Sequence, residues 1–416
     1  MIPIAVSLCA LVLIGVAAAQ PGGDSLSLRQ ALDSAFAKHP GLEANRRAIA
    51  AREARLSQAA RGMNPELGLE IEDVSGTGRN KGVSSAQTTL QLSQTLELGG
   101  KRGRREGLAR AEKSLAEKAL ESRRLEIHAL TCGHFMDALH AQRRLALALE
   151  AKTFSEGLLQ AVARRVSEGA ASAADEIRAR LALNEAEMEA RQDTLRLASA
   201  KRKLSLLWSA EQPLPPLQDG LDSLAELLSL EETIRKTASG PLAGAQSLNT
   251  RLAEARLDQQ KGLYGPDLTL SAGIRHMAEP GDLALVGGIS MPLPIRNRGQ
   301  GSLEEAKQEW EQAKAEQQEG LLGLKARAGE IHESLALARE EIRTLRETLI
   351  PDAAKAAAVL EDGYRRGRFG MLEVLNAEKD LFNFRLRYLE SLSRYQTGQA
   401  ELERLIGPDE SHGKGE

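Results

Sequence analysis

The chain is organised around the stretch PELGLEIEDVSGTGRNKGVSSAQTTLQLSQTLELGGKRGR, residues 65–104. It begins with apolar side chains at Leu67, Leu69 and Ile71, separated by glycine and glutamate. A period of two predicts a β-strand with one apolar face. After a glycine-rich loop the alternation returns, with the apolar set Leu90, Leu92, Leu96 and Leu98 and the polar set Thr89, Gln91, Ser93, Thr95 and Glu97. The two runs predict an antiparallel hairpin.

Each run has about ten residues, the length that a tilted strand needs to cross an outer membrane. Its apolar face would then contact lipid and its polar face a lumen. On this stretch alone, a hairpin packed on a soluble core is the commoner interpretation. The rest of the chain reverses that preference.

The chain contains an internal duplication. Pro40 and Pro65 recur as Pro241 and Pro266, both 201 residues later, and LGLEI after Pro65 recurs as LTLSAGI after Pro266. The second return strand alternates in the same way, through Leu283, Leu285, Ile289, Met291 and Leu293. A repeat of this length predicts two copies of one structural unit, with four strands in total.

Each copy continues into a long helix, predicted at 101–168 and 301–363 and about 100 Å long. In the second copy a heptad stripe predicts a coiled coil: Leu321, Leu324, Ala328, Ile331, Leu335, Ala338, Ile342, Leu345 and Leu349. Shorter helices return at 173–208 and 371–406. Helices at 41–63 and 242–263 are predicted to stack end to end on these returning helices. Each stack would then nearly match the long helix beside it in length.

The predicted organisation has five parts. The apolar run that ends in Ala17–Ala19 predicts a signal peptide, and prolines mark the connector between the copies. The signal peptide is predicted at 1–19 and a first repeat at 20–208, with its hairpin at about 65–98. A connector at 209–240 contains a short amphipathic helix that covers the outer surface. The second repeat is predicted at 241–407, with its hairpin at about 266–295, and a disordered tail follows at 408–416.

Composition excludes several classes. A net charge of −3 with 27% charged residues gives no polybasic surface, so we expect no nucleic-acid binding. Without the signal peptide, Cys132 is the only cysteine, which excludes an intramolecular disulfide.

Because no other stretch is long and apolar enough for a transmembrane helix, membrane residence would have to involve strands. Four strands close no barrel and the smallest membrane barrels have eight, so a cyclic assembly would supply eight, twelve or sixteen.

Three motifs resemble the TolC-type outer membrane efflux channel family: LSQTLELGGKRGRR at 92–105, ISMPLPIRNRGQG at 289–301 and YRRGRFGMLEVLNAE at 364–378. The first two resemble its heavy-metal resistance, CzcC-like branch. The resemblance implies a mostly α fold with a small β part, in which long coiled-coil hairpins form a periplasmic α-barrel. It also implies a homotrimer with a twelve-stranded β-barrel in outer membrane lipid of a Gram-negative cell. Its partners would be a periplasmic adaptor (membrane fusion protein) and an inner-membrane RND-type pump, and its cargo heavy-metal cations.

Two other functions stay open. The same fold serves as an exit for drugs or for type I protein secretion, and only the two junction motifs favour metals. A soluble periplasmic coiled-coil adaptor or structural protein would share the helical hairpins. No catalytic motif is present, and LELGGKRG lacks the first glycine and the Ser or Thr of a phosphate loop. We therefore expect neither enzymatic activity nor a cofactor.

Candidate functional residues lie at the ends of the long helices. Gly99 and Gly100, with Asn297 and Gly299 in the second copy, are predicted as flexible joints between strand and helix. His128 and Cys132 lie one turn apart and His134 is close, but core packing is favoured over a metal site. His276 and Met277 are expected in an outer loop.

The two turns between the long and the returning helices match at a spacing of 198, where Val166, Gly169 and Asp175 align with Tyr364, Gly367 and Glu373. Asp175 and Glu373 are predicted to line a cation-selective pore entrance, with acids that stabilise a helix start as the alternative. Five arginines crowd both turns and are predicted to contact the adaptor or to latch the closed end, with a solvated surface as the alternative: Arg164, Arg165, Arg365, Arg366 and Arg368. The predicted contacts of the tips with the adaptor are Gly169, Ser172, Tyr364, Arg365, Gly367 and Arg368.

Overall fold

The fold is mostly α-helical with one small antiparallel sheet, as predicted. The structure is a computed structural model, and it describes residues 25–210, 212–220, 224 and 226–407. The expected signal peptide and the expected C-terminal tail lie outside the described residues.

The sheet consists of β1 (Glu66–Glu72), β2 (Gln87–Leu96), β3 (Leu268–Met277) and β4 (Leu283–Ser290). The strand order is β1-β2-β3-β4, and all pairs are antiparallel. The two hairpins therefore join through β2 and β3, with Leu90 opposite both Leu69 and Ile274.

Three details of the strand prediction were wrong. Leu98 lies beyond the end of β2, and Met291 and Leu293 lie beyond the end of β4. Pro292 explains the second case, because it has no N–H to donate to a neighbouring strand. His276 and Met277 are not in a loop: they end β3, where His276 pairs with Leu283.

The described residues form nine α-helices: α1 (Leu28–Lys38), α2 (Pro40–Ala59), α3 (Lys101–Ser167), α4 (Ala173–Leu206), α5 (Leu230–Ala238), α6 (Pro241–Leu263), α7 (Gln300–Thr344), α8 (Ile350–Arg365) and α9 (Met371–Ile406). A π-helical turn, Leu345–Leu349, joins α7 to α8 just before Pro351, whose missing N–H interrupts the α-helical bonding. None of these helices has the length and apolar composition needed to span a membrane.

The helices form four columns that lie side by side in the same order as the strands. The first column is α2 followed end to end by α4, the second is α3, the third is α6 followed by α9, and the fourth is α7 with α8. Helix contacts follow this order, since α2 and α4 pack on α3, α3 also packs on α6 and α9, and these pack on α7 and α8. The stacking of short helices against a long one is therefore as predicted.

Two equivalent apolar clusters fix the points where short helices meet. In the first, Leu204 at the end of α4 and Leu42 at the start of α2 pack with Phe135 and Leu139 of α3. In the second, Leu405 of α9 and Leu242 of α6 pack against α7. Each stack is thus held by buried side chains from the neighbouring long helix.

The predicted amphipathic helix in the connector is α5, whereas its counterpart α1 was not predicted. The two helices start at Leu28 and Leu230, 202 residues apart, so α5 belongs to the duplication. The N-terminal segment also joins the connector, because Leu26 forms a parallel bridge with Leu217. Its backbone N–H donates to the Pro216 carbonyl at 2.9 Å.

Candidate functional site

The first candidate functional surface is the sheet, whose two faces differ in polarity. One face carries apolar side chains that are 40–89% exposed: Leu67, Leu69, Ile71, Leu90, Leu92, Leu96, Leu270, Ile274, Leu283, Leu285 and Ile289. An exposed apolar face of this extent indicates a surface that lipid or protein covers.

The opposite face of the sheet is polar and cross-linked by side chains. Arg275 of β3 donates from Nε to the Thr89 hydroxyl at 2.9 Å, and its Nη2 lies 3.1 Å from Glu72 Oε2. Thr95 and Thr269 hydroxyls are 2.9 Å apart. The sheet therefore separates an apolar surface from one that suits an aqueous lumen.

Both edges of the sheet are open within the described part of the chain, since β1 pairs only with β2 and β4 only with β3. An unpaired edge presents free N–H and C=O groups that a further strand can bind. The two open edges lie at opposite ends of the sheet, an arrangement that suits head-to-tail closure by copies of the same chain.

Glycines shape the joints between the strands and the long helices. Gly99, Gly100 and Gly299 have φ of 67°, 71° and 69°, in the left-handed region that favours glycine. The backbone N–H of Gly299 donates to Asn297 Oδ1 at 3.0 Å. A Cβ at Gly299 would overlap the ring of Tyr264, so this position has both conformational and steric reasons for glycine.

The first joint is fastened to the second hairpin. Asp267 accepts a hydrogen bond from the Leu98 backbone N–H at 3.1 Å, and its other oxygen lies 2.7 Å from Lys101 Nζ. Arg105 donates to the Ala59 carbonyl at 3.0 Å. These contacts tie the bend of the chain between sheet and helices to its neighbours.

The second candidate functional surface is formed by the two turns at the far ends of the long helices, which we call the tips (residues 164–176 and 362–374). Each tip ends its helix with the same pair of backbone hydrogen bonds. In the first tip, the N–H groups of Gly169 and Ala170 donate to the carbonyls of Val166 and Arg165, respectively. In the second, the N–H groups of Gly367 and Arg368 donate to the carbonyls of Tyr364 and Gly363. This is the Schellman motif, which requires a left-handed residue. Gly169 and Gly367 supply it, with φ of 73° and 76°.

Asp175 and Glu373 both stabilise the start of the returning helix. Asp175 accepts from the backbone N–H of Ser172 at 3.2 Å and from its hydroxyl at 2.7 Å. Glu373 accepts from the backbone N–H of Gly370 at 2.7 Å. The hydroxyl of Ser172, followed by its backbone N–H, lowers the pKa of Asp175, which keeps this carboxylate charged. The capping role is compatible with a pore role, because both side chains remain partly or fully exposed.

The two tips are joined by Arg165, one of the arginines that crowd these turns. Its guanidinium donates to the Tyr364 carbonyl at 2.9 Å and lies 4.7 Å from the centre of the Tyr364 ring. Tyr364 is only 7% exposed and packs in a tip core with Val162, Met371 and Val374. Its ring therefore supports the tip from inside.

The remaining predicted contact residues lie on the tip surface. Ser172, Arg365, Gly367 and Arg368 are exposed. Arg365 forms an ion pair of 2.5 Å with Glu361. The geometry therefore leaves polar and cationic groups at the end of each protomer.

The histidines and the cysteine of α3 are not brought together. Cys132 Sγ is 3.9 Å from both ring nitrogens of His128, whereas His134 points towards Asp137. Burial raises the pKa of the Cys132 thiol to about 12, and soft metals bind the thiolate. Among the described residues, no three His, Cys, Asp or Glu side chains converge on one point.

A sheet with an exposed apolar face above four columns of antiparallel helices suits a channel-forming outer membrane protein. The chain belongs to the outer membrane efflux protein family, whose sequence model matches residues 31–210 and 241–408. These two segments follow the duplication.

Two relatives from Cupriavidus metallidurans are similar in sequence. The cobalt-zinc-cadmium resistance protein CzcC is 30% identical over 383 residues, which cover 92% of this chain and 90% of CzcC. The nickel and cobalt resistance protein CnrC is 24% identical over 303 residues, 66% of this chain and 65% of CnrC. A crystal structure of a membrane protein from Pseudomonas aeruginosa has the same fold, with a TM-score of 0.77 at 19% identity over 94% of this chain and 95% of that one.

Proposed function

We propose that three copies of this chain form a passive exit duct in the outer membrane of a Gram-negative cell. The observation that carries the proposal is the four-stranded sheet, which has one exposed apolar face, one polar face and two open edges. Twelve strands are enough for a closed barrel, whereas four are not. The apolar face then contacts lipid and the polar face lines the lumen.

The helices continue the duct below the membrane. Because the four columns follow the strand order, three copies place twelve columns under twelve strands. The same threefold symmetry closes both layers. The columns run through the periplasm and end at the tips.

The proposed cargo is heavy-metal cations. The similarity to CzcC over most of both chains supports this cargo over drugs or secreted polypeptides. We propose that a periplasmic adaptor contacts the tips through Gly169, Ser172, Arg365, Gly367 and Arg368, and couples the duct to an inner-membrane RND-type pump. Exposed arginine suits such an interface because it makes multidentate ionic contacts. The duct itself performs no catalysis.

Fractionation of cells tests the duct against the alternative of a soluble periplasmic protein. We expect the protein in the outer membrane fraction, extracted by detergent as a particle of three copies. The reason is that the apolar sheet face has no covering element within the described chain. Recovery as a monomer in the soluble periplasmic fraction would refute the duct.

A further inference from the structure

A groove with a volume of about 680 Å³ runs along α3 between α4 and α9, next to the tips. We call it the α3 groove, and it is lined by side chains from 147–155 of α3, 178–189 of α4 and 372–386 of α9. Sites that bind small organic ligands have volumes of roughly 300–1,000 Å³. All three helices belong to one chain, so the groove does not depend on the proposed trimer.

The floor of the α3 groove is apolar and aromatic. Helix α3 contributes Leu147, Ala151 and Phe154, and α9 contributes Phe382 and Leu386, all partly buried. On each helix these positions are three or four residues apart, so they form one stripe that faces the groove. The whole chain has only six phenylalanines, and two of them lie here. An aromatic floor favours ligands with rings and attracts a positive charge placed over a ring.

The rim of the α3 groove carries carboxylates. Glu185 and Glu189 lie one turn apart on α4, and Glu378 lies on α9. None of the three forms an ion pair within the described part of the chain. Lys379 also lines the groove without an ion pair to another described residue. Three carboxylates against one ammonium group leave a net charge of −2 on these side chains.

The other charged side chains of the groove are neutralised by near neighbours. Arg385 Nη1 lies 3.1 Å from Glu150 Oε2, and both residues line the groove. Arg178 Nη1 lies 4.0 Å from Asp175 Oδ1, just outside it. The excess of negative charge therefore belongs to the three carboxylates of the rim.

The charged form of Glu378 is disfavoured by its surroundings. Burial raises the pKa of its carboxyl group, and the charge of Glu361 raises this pKa further, whereas Arg385 lowers it. Since a nearby positive charge favours the charged form of a carboxyl group, a bound cation would offset the burial and the repulsion from Glu361. This side of the groove therefore also suits a cationic ligand.

We propose that the α3 groove binds an apolar organic cation that carries aromatic rings. The rings pack on Phe154 and Phe382, and the positive charge lies beside the carboxylates of Glu185 and Glu189. A bare metal ion fits less well, because no three His, Cys, Asp or Glu side chains of the described residues converge on one point. The ligand class therefore differs from the proposed cargo, and the site adds a binding function to the one proposed above.

Ethidium, an aromatic cation whose fluorescence anisotropy rises on binding, is a suitable probe for the purified full-length protein in detergent. Protein-free micelles give the blank. The double change Glu185→Gln and Glu189→Gln should weaken binding about tenfold at low ionic strength, because amides keep the size of the carboxylates and remove their charge. Glu187→Gln is the matched control and should bind like the parent. Glu187 lies between the two in sequence but faces Lys152 and Arg191.

The aromatic floor has its own test. Phe154→Leu keeps an apolar side chain but removes the ring, so it should weaken ethidium binding about threefold. Tetraphenylphosphonium should displace ethidium from the parent protein. Tetraphenylborate, an anion of the same shape, should not.

Equal displacement by the two tetraphenyl ions would mean that the groove selects only for apolar surface, which would overturn the proposal. No binding of ethidium by the parent would overturn it as well. Unchanged affinity in both the acidic double variant and Phe154→Leu would place ethidium elsewhere and leave the groove to a helix of a protein partner. Each of these results leaves the duct intact. A parent protein that binds ethidium but is recovered as a soluble periplasmic monomer would instead refute the duct and leave the site.

Discussion

Replacing Leu92 with arginine is expected to reduce the amount of folded protein in the outer membrane. Leu92 lies in the middle of the sheet, paired with Leu67 and Ala272, and is 55% exposed on the apolar face. An arginine on a lipid-facing strand costs about 2–4 kcal/mol near the bilayer midplane. Leu69→Arg and Leu270→Arg should have similar effects. The measurement is the heat-modifiable, folded fraction in purified outer membranes.

Matched controls come from the polar face of the same strands. Gln91→Arg, Glu70→Arg and Thr269→Arg place the same side chain on the proposed lumen side and should leave insertion nearly unchanged. Successive residues of a strand point to opposite faces, so Gln91 and Leu92 differ in face but hardly in depth. Equal losses in both sets would mean that the hairpins do not face lipid.

The double change Asp175→Asn and Glu373→Gln is expected to reduce cation preference in single-channel recordings without loss of trimer. Three copies of the tip would present six carboxylates, and amides remove their charge while they keep their size. Each amide oxygen still accepts the hydrogen bond from the backbone N–H of Ser172 or Gly370, which preserves the cap.

The pH dependence follows from the same geometry. Ser172 lowers the pKa of Asp175 in the folded protein. The charge of Asp175 and the stability that this charge contributes are therefore fully present above the ordinary aspartate pKa of about 3.9. Both are lost as the pH falls through the lowered pKa of Asp175 in the folded state. Cation preference should therefore persist in mildly acidic buffer. Unchanged selectivity in the double variant at neutral pH would leave these acids with capping as their only role.

Regular periodicity explains what the sequence predicted well. Alternation placed Leu69, Leu90 and Ile274 on one face, and the structure pairs them in register. The bounds of α3 and α9 follow the predicted helices because glycine turns end the long helices and capping residues start the returning ones. These are local signals, carried by a few neighbouring residues.

What the sequence did not reveal depends on contacts between the copies of the repeat. Arg165 and Gly363 occupy equivalent positions at the spacing of 198, yet Arg165 reaches the other tip and Gly363 leaves room for the Phe369 ring. The burial of Tyr364 follows from the packing of the two tips against each other. No periodic pattern in a single helix encodes such a contact.

Growth of a strain that lacks the gene tests the export of metal cations most directly. Compared with its parent and with the strain complemented by the gene, it should be more sensitive to one or more of zinc, cadmium, cobalt, copper and silver. Its growth with organic toxicants should be unchanged. The reason is that, in the proposed function, the duct is the exit for cations pumped through the periplasm. Sensitivity to organic toxicants alone would contradict the proposed cargo.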